Sequence, residues 1–154
     1  PVAAHWQVYL PAMLVSLLIM GGGLFRLERK GYLRAVFLAA IGLIALAQVG
    51  FALSARAPSV GVLALLLCVF FVGFNTLEAS QPSLASRLAS PHERGTALGV
   101  YNTLMSLGIF FGGLLGGQIV KAWGSSGIFA VSAALMLVWL VLAWPMKAQA
   151  SSRV

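Results

Sequence analysis

Glu78 follows a run, Val60 to Gly73, that carries no charge at all. On a helix, Phe71, Asn75, Glu78 and Pro82 follow the i, i+4, i+7, i+11 spacing and share one face. An amide and a carboxyl on one face can bind a polar solute or a proton, and Pro82 frees a backbone carbonyl one turn earlier. Facing lipid, an ionised Glu would cost about 3 kcal/mol or more, so the face is expected to line protein or water. Acids in such positions mark ion routes. Asn75 and Glu78 are therefore the candidate substrate or proton pathway. Measured from Ser59, Glu78 lies about 29 Å along a helix rising 1.5 Å per residue, close to the far membrane interface. A structural carboxylate bonded to backbone or to Arg87 is thus the alternative.

Other chemistry is quickly bounded. Gly124-Ser125-Ser126-Gly127 has the form of the serine loop of rhomboid-type intramembrane proteases, but that mechanism needs a histidine base from a later helix. No histidine follows Gly127, and His5 and His92 lie beside different spans. The single cysteine, Cys68, excludes an intrachain disulfide and sits in an apolar block as packing. No Cys/His/Asp cluster has metal-ligand spacing, and no phosphate loop or dinucleotide fingerprint appears. The residues call for no cofactor and no metal, and they argue against an enzyme.

The elements that must position Glu78 follow from composition. Sixty per cent of the 154 residues are hydrophobic and 8% are charged, with a mean hydropathy of +0.98. A soluble domain has roughly 25% charged residues. The apolar residues come in blocks rather than alternating faces, so the lipid bilayer is the first partner. The net charge of +7 does not point to nucleic acid, because the cations sit in span-flanking links rather than along one polar helix face.

Five blocks are long enough to cross roughly 30 Å of hydrocarbon, which takes about 20 helical residues. They lie at about 8–25, 35–55, 59–85, 96–120 and 126–146. The fold class is all-α, a polytopic membrane helix bundle of five transmembrane helices. The first block is short and holds Pro11 and the run Gly21 to Gly23, so a bend or frayed end is expected there. The fourth opens with Ser90-Pro91-His92-Glu93, which reads as a capping box with proline at the first helical position. The sequence 124–127 reads as a tight turn between the last two spans.

Cations set the orientation. Arg26, Arg29, Lys30, Arg34, Arg87, Arg94, Lys147 and Arg153 flank one side, against Arg56 and Lys121 on the other. The positive-inside rule puts the first group in the cytoplasm, with the C-terminus inside and Pro1 outside. The expected location is a cell (inner) membrane. An outside start without an initiating Met or a signal-peptide pattern suggests that the chain continues a longer polypeptide.

Two further patterns stand out. Gly108, Gly112 and Gly116 recur every four residues, with Gly113 and Gly117 beside them. Such a strip without side chains lets two helix backbones pack closely in lipid. The link Glu28-Arg29-Lys30-Gly31-Tyr32-Leu33-Arg34 is a cluster of topogenic cations with a glycine for a tight turn.

That link, after a glycine-rich helix end, resembles the D-R-x-G-R-[RK] loop of the major facilitator superfamily, with Glu for Asp and with Tyr32 and Leu33 before the last arginine. Phe74-Asn75-Thr76-Leu77-Glu78-Ala79, Pro82-Ser83-Leu84, Arg94-Gly95-Thr96-Ala97-Leu98-Gly99 and the glycine-rich fourth span extend the likeness over the whole chain. It is nearest to the YajR-like branch of proton-driven efflux transporters. The resemblance implies a partial major facilitator fold, the eighth to twelfth of twelve helices, whose missing partner is the N-terminal half of the same polypeptide. It implies an unknown small-molecule substrate, with protons as the coupling ion. It makes Glu28, Arg29, Lys30, Gly31 and Arg34 a gate loop whose contacts form in one conformation and break in another, and it lets the glycine-rich helix seal one end of the pathway. A non-transporting membrane scaffold or assembly subunit is the alternative, in which the glycine strip serves stable association and the basic links serve topology alone.

The cation asymmetry generates a direct test. Single cysteines at Lys30 and Arg94 should be labelled from the cytoplasm and one at Lys121 from outside. Cytoplasmic labelling at Lys121 would contradict the arrangement.

Overall fold

The computed structural model describes residues 6–19, 21–22, 26, 30–55, 57 and 59–146. They form four apolar helices: α1 (Trp6–Ile19), α2 (Leu33–Ser54), α3 (Val60–Leu88) and α4 (Arg94–Ala143). No strand occurs among the described residues. The 22 residues of α2 span about 33 Å, enough for the hydrocarbon, and the 29 of α3 about 43 Å. The chain is a membrane helix bundle.

Local chemistry sets the helix boundaries. Gly31, at φ +91°, adopts the left-handed conformation that glycine takes without penalty, and so turns the chain into α2. Ser59, extended at φ −106° and ψ 130°, precedes α3, and Ala89, equally extended, ends it. Pro82 lies inside α3, which continues through it.

The 50 residues of α4 are too long for one crossing. They are broken at Gly124, where φ 70° and ψ −171° leave helical geometry. The segments 94–123 and 125–143 fold back on each other: a side chain at Gly116 would lie 3.5 Å from Ile128. The reversal rests on Gly124 alone, and Ser125 to Gly127 are already helical, so the turn expected over 124–127 is shorter than its sequence suggests.

The entry to α4 also differs from the capping box read from the sequence. Glu93, not Ser90, is the N-cap residue, and no side chain caps the helix. The Ser90 hydroxyl instead donates to Glu93 Oε2 at 2.8 Å, and the Ser90 carbonyl accepts from the Glu93 N–H at 2.9 Å. The two side chains satisfy each other within a turn that holds Pro91, and the helix begins after it.

The core lies around α2. Phe37, Ala40, Ile41, Ile44 and Leu77 form its buried cluster, with Phe70, Met136, Trp139 and Leu140 packed against it. Phe37 meets Trp139 edge-to-face at 5.9 Å, and Phe51 meets Phe129 at 5.1 Å, so α2 runs antiparallel to 125–143. On its other side α2 is antiparallel to α3, with Gly50 against Leu66 and Gly73 against Ala40 and Ile44. The segment 94–123 touches α3 through Tyr101 and Gln81, while 102–115 are exposed.

This pairing gathers Lys30, Arg34, Arg87 and Arg94 at one end of the bundle, and Lys121 at the other, beside the reversal. Leu104, Ile109, Phe110, Phe111 and Leu114 are exposed on 94–123. Hydrocarbon or further helices suit such a surface; water does not.

Gly73 is where α3 comes up against the backbone of α2. A Cβ there would stand 2.8 Å from the Ala40 carbonyl oxygen and 2.8 Å from Ile44 Cγ1. Gly42, also within a helix, has nothing within 4 Å of that position. Gly73→Ala should therefore lower stability by about 1–3 kcal/mol, whereas Gly42→Ala should be neutral or stabilising by up to about 1 kcal/mol. Thermal unfolding of the two variants in one detergent checks this.

Candidate functional site

The buried residues of α3 are Val72, Gly73, Thr76, Leu77 and Ser80, with Gly73 and Leu77 set against α2. Helical rotation of about 100° per residue then puts Asn75, Glu78 and Gln81 on the opposite side, in successive steps of about 60°. Each meets a different neighbour. Asn75 is half-buried and its Nδ2 donates to Ser16 Oγ of α1 at 3.0 Å. Gln81 Oε1 accepts from the Tyr101 hydroxyl of α4 at 3.1 Å. Glu78 lies between them and is exposed.

Glu78 therefore opens into the wedge between α1 and the segment 94–123. The Asn75 side of the wedge is closed by a short hydrogen-bond chain: Ser16, fully buried, accepts from Asn75 and its own hydroxyl donates to the Met13 carbonyl at 2.7 Å. Buried Thr76 bonds back to the Val72 carbonyl at 2.6 Å, which satisfies it within α3. No ion pair or hydrogen bond to the Glu78 side chain occurs among the described residues, and Arg87, one possible partner, is exposed.

Of the loop residues singled out by sequence, Glu28 and Arg29 lie outside the described residues. Lys30 is exposed and its N–H donates to the Arg26 carbonyl at 3.2 Å. Arg34 reaches across the bundle, and its Nη2 donates to the Trp144 carbonyl at 2.7 Å. A guanidinium at the last turn of α4 meets the negative end of the helix dipole as well as an open carbonyl. Arg34 Nε is buried and has no hydrogen-bond partner among the described residues. This contact ties the start of α2 to the end of α4.

In the glycine strip, a Cβ added at Gly116 would lie 3.5 Å from Ile128, while one added at Gly108, Gly112, Gly113 or Gly117 would meet nothing within 4 Å. The strip faces away from α2 and α3. Sequence reasoning missed Ser16, Gln81 and Tyr101 as partners of the Glu78 face, and missed Gly73. Each carries a single polar or small residue with no periodic signal, and only the helix pairing reveals it.

Comparison with known proteins points in one direction. The profile of the Major Facilitator Superfamily matches residues 1–153. The inner membrane transport protein YajR of Escherichia coli is 37% identical over 147 residues, 96% of this chain and 32% of YajR. An uncharacterized MFS-type transporter, Rv1250 of Mycobacterium tuberculosis, is 32% identical over 89% of this chain and 22% of its own length. The multidrug transporter AQR1 of Candida glabrata is 32% identical over 62% of this chain and 16% of its own length. The chain thus spans about a third of YajR and less of the others.

The Arg34 contact yields a stability prediction. Arg34→Met keeps most of the apolar stem but removes the donor to Trp144. It should cost about 1 kcal/mol, the size of a typical net hydrogen bond, read as a lowered thermal midpoint. An unchanged midpoint would mean that the tie does not hold the two helix ends together.

Proposed function

We propose that this chain, which belongs to the major facilitator superfamily, forms the eighth to twelfth helices of a secondary active transporter that exports small molecules against an inward proton gradient. The observation that carries the reading is the placement of Glu78: an acid, exposed, held opposite the helix core and flanked by the amide-bearing Asn75 and Gln81. A titratable group in a wedge between helices can exchange protons with water, which one buried against α2 could not.

Alternating access follows from rocking of helix bundles around a site at their interface. In this reading the remaining helices of the polypeptide sit against 94–123 and its glycine strip, and complete the wedge around Asn75 and Glu78. Lys30, Gly31 and Arg34, with Glu28 and Arg29 before them, act as the gate loop on the cytoplasmic side, and the C-terminus lies in the cytoplasm. The printed name of the Candida glabrata relative, a multidrug transporter, supports an efflux role for small molecules. These similarities favour a transporter over an enzyme. They also favour it over the scaffold, a role that gives the exposed carboxyl no purpose.

Proton binding can drive a conformational step only if the two conformations bind the proton with different affinity. Glu78→Gln keeps shape and hydrogen bonding and removes that titration. In the transporter-length protein, Glu78→Gln should abolish transport driven by an imposed pH gradient while substrate binding is retained, with both normalised to folded protein. An unchanged response to the gradient would leave Glu78 a structural carboxylate.

A further inference from the structure

The hydrogen bonds of Ser16 decide which way the amide beside Glu78 faces. A serine hydroxyl has one proton to donate. Ser16, fully buried in α1, donates it to the Met13 carbonyl at 2.7 Å, so toward Asn75 it can only accept. The group that meets it there, at 3.0 Å, is accordingly the amide nitrogen of Asn75. Turning the amide over would bring oxygen against oxygen, or draw the Ser16 proton away from Met13; either way two hydrogen bonds are exchanged for one at most. Burial keeps water from making up the difference.

A carboxamide is planar, with nitrogen and oxygen on separate branches, so fixing Nδ2 against α1 carries Oδ1 away from it. The buried side-chain atoms left without a hydrogen-bond partner among the described residues are Arg34 Nε and Gln48 Oε1. Asn75 Oδ1 is not one of them and accepts no hydrogen bond from the described residues, so on half-buried Asn75 it is the open end of the amide. Gln81, on the far side of Glu78, is not locked in this way. Its partner is the Tyr101 hydroxyl, which can donate or accept and so suits either orientation of the amide.

On the reading of this wedge as a transport site, we propose that Ser16 is a positioning residue for substrate recognition. By holding Asn75 Nδ2 against α1 it makes Asn75 Oδ1 a fixed acceptor, which selects solutes that present an N–H or O–H and rejects isosteres that only accept. The substrate class is thus small molecules with a polar hydrogen at the end that enters the wedge. An acceptor-only solute would leave Oδ1 without a donor and set lone pair against lone pair, and a site built around one hydrogen bond discriminates on that ground. The two residues then divide the work. Asn75 holds the solute, and Glu78 stays free to exchange protons, as retained binding in Glu78→Gln requires.

The test is disulfide exchange at Glu78→Cys in the transporter-length protein in lipid nanodiscs, with Cys68→Ala and no other thiol. Position 78 is exposed, and residues three apart on a helix have Cβ atoms about 5–6 Å apart, so a short tether reaches Asn75. Removing the carboxyl leaves Asn75 as the acceptor under test. The probes are the disulfides of 2-(pyrrol-2-yl)ethanethiol and 2-(furan-2-yl)ethanethiol, rings of nearly the same shape, one with an N–H donor and the other with a ring oxygen. Each is equilibrated with 2-mercaptoethanol, and the adduct is read by intact-protein mass spectrometry. The pyrrole adduct should exceed the furan adduct about fivefold, the ratio that one net hydrogen bond supplies. Asn75→Leu should bring the ratio to about one. Ser16→Ala, a good helix former whose freed Asn75 amide can turn to the wedge, should fold and roughly halve the ratio, because only the amides with oxygen outward are competent. Adding Asn75→Asp to Ser16→Ala puts an oxygen on both branches and should restore the preference. A Ser16 that only stiffens α1 would lower the thermal midpoint and leave the ratio unchanged, which would overturn its positioning role. Equal adducts before any change at Ser16 or Asn75 would overturn the fixed acceptor, as would a pyrrole preference that survives Asn75→Leu; both measurements leave α1 untouched. Failure of the proton role is read separately, as an unchanged pH-gradient response in Glu78→Gln, and does not alter the adduct ratio.

Discussion

The close approach of α3 to α2 at Gly73 governs the orientation of everything else on α3. With no side chain at that position, the backbone of α3 rests against the Ala40 carbonyl and the Ile44 side chain, and Thr76, Leu77 and Ser80 are buried on the same side. A helix has one rotation about its axis. Once Gly73 is set against α2, Asn75, Glu78 and Gln81 must look the other way, toward α1 and the first half of α4. The candidate face is thus held in place by a packing contact on the reverse side of its own helix.

The solvent makes that rotation consequential. In hydrocarbon, each polar group needs a partner inside the protein or access to water. Thr76 meets the need through its own backbone, Asn75 through Ser16 and Gln81 through Tyr101. Glu78 is the member of the set whose side chain takes no partner among the described residues. The cost of an ionised Glu against lipid, about 3 kcal/mol or more, exceeds the roughly 1 kcal/mol that a single hydrogen bond returns. Its surroundings in the membrane must therefore supply water or further protein, and the wedge between α1 and 94–123 is where either can enter.

The sequence made the common face of Asn75 and Glu78 readable, because 3.6-residue spacing depends on nothing outside the helix. What each residue meets on that face was not readable, since Ser16 and Tyr101 belong to other helices and neither stands in a pattern. Glycine taught a similar lesson. The repeat at Gly108, Gly112 and Gly116 drew attention by its periodicity, yet the glycine set against the backbone of another helix is Gly73, which repeats with nothing. Proximity in space set its role. The capping sequence at Ser90 failed for a local reason: its hydroxyl and the Glu93 carboxylate are close enough to bond to each other, and the helix starts one turn later. Arg34 could be assigned to a basic link by charge alone, while its partner, Trp144, stands 110 residues further on.

The central claim is that the Glu78 face lines an aqueous wedge rather than merely touching the membrane interface. Phe71 is on that face and about 10 Å deeper along α3, and Leu142 of α4, 71% exposed, reports on a surface turned to lipid. Single cysteines at Phe71, Glu78 and Leu142, in a transporter-length protein carrying Cys68→Ala, should be treated with a membrane-impermeant methanethiosulfonate and their modification rates compared. The account predicts reaction at both Phe71→Cys and Glu78→Cys and protection at Leu142→Cys. Reaction at Glu78→Cys with Phe71→Cys as silent as Leu142→Cys would contradict it, and would place the carboxylate at the interface with no water path beneath it.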